Sequence, residues 1–145
     1  MKQVLIAEGL VSSLSASPRL IGARCQRCDA LSFPLLSGCA RCGSEDLQAI
    51  ELPARGRLWT WTSQEFLPKS PPYTGGESKE TFKSWYVGYV DLDGLHVEGR
   101  LVGFEERTPE IGEEVELTLI PFGIDGNGDE VMIYGFQPVG LVEEN

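Results

Sequence analysis

Four cysteines carry the clearest chemistry in the chain: Cys25-Gln-Arg-Cys28 and Cys39-Ala-Arg-Cys42-Gly43. In a Cys-x-x-Cys pair a tight backbone turn lets both sulfurs converge on one ion. Two such turns facing each other offer a tetrahedron of thiolates, which suits zinc. Gly43 fits a turn that requires a positive φ. With four protein thiolates the site is closed, so the metal is a staple and has no open position for water or substrate. Metal binding of this kind supplies on the order of 10 kcal/mol or more to a segment too small to fold alone. Disulfides and a redox dithiol are the rival readings. Symmetric knuckles without a convincing signal peptide point to a reducing compartment, which disfavours disulfides. A redox dithiol would use one pair and leave the other unexplained. The spacing leaves iron open as an alternative to zinc. Arg24, Arg27 and Arg41 lie in or beside the knuckles. They either offset the surplus negative charge of four thiolates around a divalent ion or are simply solvated.

Little else in the chain could drive turnover. The single histidine, His96, falls in an alternating Leu95–Leu101 stretch, where a solvated or hydrogen-bonded role is expected. With the cysteines committed to metal, no thiol nucleophile remains, and no serine sits in a nucleophile-elbow motif. No phosphate-cradling glycine motif is present. The Glu105-Glu106 and Glu113-Glu114 pairs read as a solvated acidic face.

The elements that must hold these residues are mostly strands. In residues 1–18, Val4, Leu5, Leu10, Val11 and Leu14 suit one or two short helical turns, ended by Ser15-Ala16-Ser17-Pro18. Leu20–Ala23 is a short strand into the first knuckle. From Arg55 onward the pattern is β: Gly56–Ser63, Trp85–Leu92, Leu95–Leu101, Val115–Leu119 and Val131–Phe136. Asp93-Gly94 is a strong two-residue hairpin turn. Five short strands in this span suit a small closed barrel, which removes exposed edges. Gly88, Gly99 and Gly135 supply bends within strands. Trp59 and Trp61 alternate onto one side of their strand and Trp85 begins the next, giving an aromatic patch that is either core or a protein-interface anchor. The connection from Gln64 to Ser84 lacks a strand period. It holds Lys69, Lys79 and Lys83 beside Phe66, Tyr73 and Phe82, a set able to meet an anionic, partly flat ligand or a partner protein.

The chain has 145 residues, 41% of them hydrophobic, enough for one core with a small appendage. No stretch approaches the roughly 18 apolar residues of a membrane span. The Val4–Ala7 run makes a poor signal peptide, so a cytoplasmic location is expected. The net charge of −10 lies in the C-terminal third, where Glu105–Asn145 holds 11 acidic residues and only Arg107 opposes them. That is the wrong sign for a phosphate backbone, so nucleic-acid binding is disfavoured. It stays as the rival reading, because aromatics on a small barrel can stack single-stranded bases.

The order of features is more specific than any one of them. Pro18–Cys28 runs into the first knuckle, Phe33-Pro34 follows, and then Cys39–Ser44. Beyond these come Gly56-Arg57-Leu58-Trp59-Thr60-Trp61-Thr62, Tyr86–Gly94 and the ending Phe136-Gln137-Pro138-Val139. This resembles the thiolase-associated family that joins a rubredoxin-like zinc ribbon to an OB-fold, over about residues 15–139. The implied architecture is mainly β: a helical segment 1–18, a zinc ribbon 19–52 and a five-stranded OB-fold barrel 53–145. The resemblance implies a non-catalytic accessory subunit with structural zinc on Cys25, Cys28, Cys39 and Cys42. It implies a thiolase-superfamily partner, a thiolase or aldolase, or else a hydratase of the hot-dog fold. The two chains together would form an acyl-CoA site, with coenzyme A thioester as shared ligand and the partner supplying the catalytic groups. Lys69, Lys79, Lys83, Arg55 and Arg57 are the expected contacts to coenzyme A. Trp59, Trp61, Tyr73, Phe82 and Trp85 are the expected interface. Trp85 stands where many relatives carry proline, and the Gln64–Ser84 connection is longer than usual.

Overall fold

The computed structural model describes residues 2–12, 17–69 and 75–140. Nine strands follow one another: β1 (Gln3–Leu5), β2 (Ile21–Cys25), β3 (Leu31–Ser32), β4 (Leu47–Glu51), β5 (Arg55–Gln64), β6 (Trp85–Leu92), β7 (Leu95–Leu101), β8 (Glu114–Ile124) and β9 (Glu130–Pro138). β3, β2 and β4 form a small antiparallel sheet behind the cysteine knuckles. β5 to β9 form the barrel. Strand order runs β9-β7-β6-β5-β8, and β8 closes it by pairing again with β9. The Asp93-Gly94 turn joins β6 to β7 with both residues at positive φ, 54° and 89°. This left-handed pair matches the twist of the strands it joins. Asp91 Oδ1 accepts the Gly94 N–H at 2.7 Å.

The expectation of N-terminal helical turns does not hold, since no helix occurs among the described residues. Gln3–Leu5 is instead a strand that pairs in parallel with Glu130–Met132. The reason is long-range. β7 meets β9 only at Arg100–Leu101 against Gly135–Phe136, so the first half of β9 has a bare edge on that side. A short apolar segment that satisfies this edge gains more than an isolated helical turn, which is unstable at that length.

Inward side chains of the barrel make one core: Leu58, Val90, Leu92, Val97, Val115 and Phe136 are all buried. Leu20 and Leu52, each 1% exposed, flank the ribbon sheet and join the same cluster. The Leu52 N–H donates to the Leu20 carbonyl at 2.9 Å, which holds the two together at the junction. The ribbon is thus packed onto the barrel through shared apolar surface. Phe33 adds an edge-on contact with Tyr134 of β9, ring centres 5.6 Å apart.

The strand glycines serve close packing more than bending. A Cβ on Gly99 would lie 2.8 Å from the Phe136 ring, and one on Gly88 would lie 2.7 Å from the Thr60 carbonyl oxygen. These two glycines face each other across β6 and β7. They leave the space that Phe136 and Leu58 fill.

Candidate metal centre and docking face

The two knuckles repeat one backbone pattern. The Cys25 N–H donates to Ala30 O and the Asp29 N–H to Cys25 O, both at 2.9 Å. At the same offsets, Cys39 N–H donates to Ser44 O at 2.8 Å and Gly43 N–H to Cys39 O at 2.9 Å. The fifth residue of each knuckle turns left-handed: Gly43 at φ 79°, as its sequence position suggests, and Asp29 at φ 66°. Asp29 was missed, although its equivalence to Gly43 was legible in the shared Cys-x-x-Cys-x spacing. The energetic cost of a left-handed non-glycine residue is smallest for Asp and Asn. Arg24 also engages its carboxylate at 3.0 Å.

These turns bring all four sulfurs within 4.8 Å of one another. Cys25 and Cys42 sulfurs are 3.6 Å apart, as are those of Cys28 and Cys39. Four ligands at the usual zinc–sulfur distance of about 2.3 Å make a tetrahedron whose edge is about 3.8 Å, so the donor set fits. A disulfide does not fit, because it needs about 2.05 Å between sulfurs. Backbone N–H groups of Cys28 and Arg41 point at Cys25 and Cys39 sulfurs at 3.5 and 3.4 Å. The Cys42 and Arg41 backbone N–H groups hold the Cys39 thiol down to about 6, against the opposing effect of burial. The Ala30 N–H lowers the Cys28 thiol, yet burial and the neighbouring sulfurs push it up to about 11. Sulfurs this crowded cannot all ionise together without a cation among them. A zinc ribbon held by Cys25, Cys28, Cys39 and Cys42 is the arrangement these donors support. The three arginines do not act as one group. Arg24 pairs with Asp29, while Arg24 and Arg41 together line a cleft between the ribbon and the Asp93-Gly94 turn.

The aromatic residues divide differently from the sequence reading. Trp59 and Trp61 do not share a side. A bulge between Leu58 and Thr60 shifts the register of β5 against β6 by one residue and reverses the alternation beyond it. Trp61 therefore turns inward and packs on the core beside Tyr86, ring centres 5.3 Å apart. Trp59, 55% exposed, stacks on His96 at 4.2 Å and meets Tyr89 edge-on. His96 Nε2 lies 3.9 Å from the Asp91 carboxylate. Trp85 is covered by the Arg100 guanidinium at 3.8 Å and touched by Phe82 at 5.4 Å between ring centres. Tyr73 lies outside the described residues.

The basic residues do not gather at one place. Lys69, Lys79 and Lys83 are exposed on the long connection. Arg55 lies near Glu116 and Glu114 of β8, at 3.8 and 4.0 Å, and Arg57 donates to the Gly112 carbonyl at 3.2 Å. One acidic pair also departs from expectation. Glu113 is not solvated: its side chain is 15% exposed and accepts a two-pronged Arg107 guanidinium at 2.8 and 2.9 Å. The Glu110 N–H adds a third bond at 2.6 Å. Together these hold the Glu113 carboxyl below its usual range, with Arg107 the main cause.

The ribbon-then-barrel order and the four-sulfur geometry have counterparts among known proteins. Residues 16–48 match the family described as the ChsH2 rubredoxin-like zinc ribbon domain, and residues 49–119 the ChsH2 C-terminal OB-fold domain. A benzoylsuccinyl-CoA thiolase subunit BbsA of Geobacter metallireducens is 32% identical over 84% of this chain and 76% of its own length. The chain belongs to the ChsH2 zinc-ribbon/OB-fold family. The BbsA subunit of Thauera aromatica is 29% identical over 85% of this chain and 78% of its own length. Among solved structures, a chain of the Ltp2-ChsH2(DUF35) aldolase superposes with a TM-score of 0.59 at 26% identity, covering 83% of this chain and 84% of that one. The ChsH2-type chain described here thus shares both its metal-binding half and its barrel with subunits of a thiolase and an aldolase.

Proposed function

We propose that this chain is a non-catalytic accessory subunit of a thiolase-superfamily enzyme, a thiolase or aldolase. In that role it helps form the acyl-CoA site for making or breaking a carbon–carbon bond. The observation that carries the reading is the match, across ribbon and barrel together, to subunits named for a thiolase and an aldolase. The chain's own chemistry agrees. A four-thiolate metal site has no open coordination position, and His96 is stacked against Trp59. Attack on the thioester is therefore assigned to the partner. This subunit shapes the site and excludes water from it.

The contribution to coenzyme A is assigned to Lys69, Lys79 and Lys83, whose ammonium groups would meet its phosphates. Arg55 and Arg57 are weaker candidates, because the former faces carboxylates and the latter a backbone carbonyl of its own barrel. Of the aromatic residues assigned to docking, Trp59 is exposed, while Phe82 and Trp85 are half-buried against each other and Arg100. Carboxylates Asp91 and Glu98 beside the exposed aromatics are the wrong sign for a nucleic-acid backbone.

The test is reconstitution with a thiolase-superfamily partner protein. Acyl-CoA turnover is expected from the pair and from neither chain alone. Replacing Lys69, Lys79 and Lys83 by glutamate is expected to raise the KM for acyl-CoA about tenfold, or about 1.4 kcal/mol of binding, with kcat little changed. Turnover by this chain alone, or an unchanged KM in the triple variant, would contradict the respective assignment.

A further inference from the structure

β6 carries apolar side chains on both faces, with Asp91 the acidic exception at the outward end. Tyr86, Gly88, Val90 and Leu92 face the core, while Trp85, Val87 and Tyr89 face outward. In an antiparallel sheet the outer face is ordinarily polar, so apolar Val87 and Tyr89 there mark a surface suited to a partner. On its outer face lies a groove of about 280 Å³, lined by Thr60, Thr62, Val87, Tyr89 and Glu98 and bordered by the inward-turned Trp61 and Gly88. Among the described residues, Glu98 is the only charged one lining it. Tyr89 and Glu98 are direct cross-strand neighbours, and Thr60 pairs with Tyr89 from the other side.

Glu98 is exposed, and no ion pair engages it among the described residues. Arg100, two positions along β7 on the same face, is stacked over Trp85. The effect of the unneutralised carboxylate reaches Tyr89, whose phenol is pushed above its ordinary range chiefly by the charge of Glu98. Next to the groove, Trp59 offers an exposed ring, with Asp91 close behind His96. An apolar slot ending in a carboxylate and flanked by aromatic rings suits one kind of group. A long basic side chain can lay its methylenes in the slot, present its charge to Glu98 and rest on an aromatic face.

We propose that this groove receives an arginine or lysine side chain of the thiolase-type partner, making Tyr89, Glu98 and Trp59 an anchor of the subunit interface. The proposal rests on the accessory-subunit reading and adds to it the surface used and the charge it selects. A central basic anchor desolvated against an aromatic and a carboxylate is the sort of contact that dominates an interface energetically.

The experiment compares affinities for the same thiolase-superfamily partner, measured by titration calorimetry on the purified chains. Glu98→Gln is expected to weaken association at least tenfold. Glu98→Lys should weaken it further, and Glu98→Asp should retain part of the affinity. Tyr89→Ala should act in the same direction. Because Glu98 is exposed, the thermal midpoint of the isolated chain should be unchanged in Glu98→Gln. Wild-type affinity in both Glu98→Lys and Tyr89→Ala would overturn the groove while leaving the accessory role intact. Failure of the wild-type chain to bind the partner at all would overturn both. Light scattering on the isolated chain covers the remaining occupant: a wild-type dimer abolished by Glu98→Lys would assign the groove to a second copy and overturn the proposal.

Discussion

At the residue scale, the charge a side chain meets decides what it can do. The sulfurs of Cys25, Cys28, Cys39 and Cys42 are arranged for one divalent ion, so Cys39→Ser is expected to lower zinc content from one per chain, read by elemental analysis. Arg107 and Glu113 offer a pH-dependent test. The Glu113 carboxyl is held down by Arg107, so its stabilising effect is present above the ordinary carboxylate range and is lost as pH falls through the depressed value. Arg107→Ala should therefore lower the thermal midpoint at neutral pH, and the difference from wild type should vanish in strong acid. Tyr134 is the opposite kind of group. Burial pushes its phenol up to about 12, with the Glu98 charge adding to this, and its hydroxyl donates to the Glu98 carbonyl at 2.7 Å. Tyr134→Phe is expected to cost about 1 kcal/mol of unfolding free energy, the usual net value of such a bond, measurable by urea denaturation. The metal ligands were legible as spacing. The Glu113 clamp was not, because nothing in a run of glutamates says which one the Arg107–Glu110 turn just before it will fold onto.

At the scale of elements, the five barrel strands were legible because alternation and turn residues are local signals. Trp85–Leu92 and Leu95–Leu101 are found with the bounds the pattern suggests, joined by Asp93-Gly94. The β1 strand was illegible, since its partner is an edge left bare by the shortness of the β7–β9 pairing. The separation of Trp59 from Trp61 was hidden for a related reason. A bulge inserts one residue without marking the sequence, and everything beyond it changes face. Gly88 and Gly99 looked like bends, yet the space they leave is filled by core side chains. Gly99→Ala pushes a methyl into the Phe136 ring and is expected to destabilise the barrel by about 1–3 kcal/mol, the usual range for overpacking. The same urea measurement checks it.

At the scale of the whole molecule, the ribbon and the barrel are one mechanical object. Leu20 and Leu52 flank the ribbon sheet and lie in the barrel core. Stripping the metal should therefore lower the barrel's own thermal midpoint, followed by the fluorescence of its three tryptophans, and restoring zinc should recover it. An unchanged midpoint would mean the two halves are energetically independent. This coupling makes the chain suited to a stiff platform: a closed metal site fixes the ribbon, the shared core fixes ribbon to barrel, and the barrel presents Trp59, Tyr89 and Glu98 outward. The family resemblance in the sequence extended along nearly the whole chain because the order of knuckles, strands and turns is a property of the entire fold. Which outward face is used could not be read, since it depends on the bulge in β5. The most direct measurement is acyl-CoA turnover by this chain, by its thiolase-superfamily partner, and by the two mixed in equal amounts. The account predicts turnover only in the mixture, together with a co-eluting complex. Turnover by this chain alone, or full turnover by the partner without it, would contradict the account.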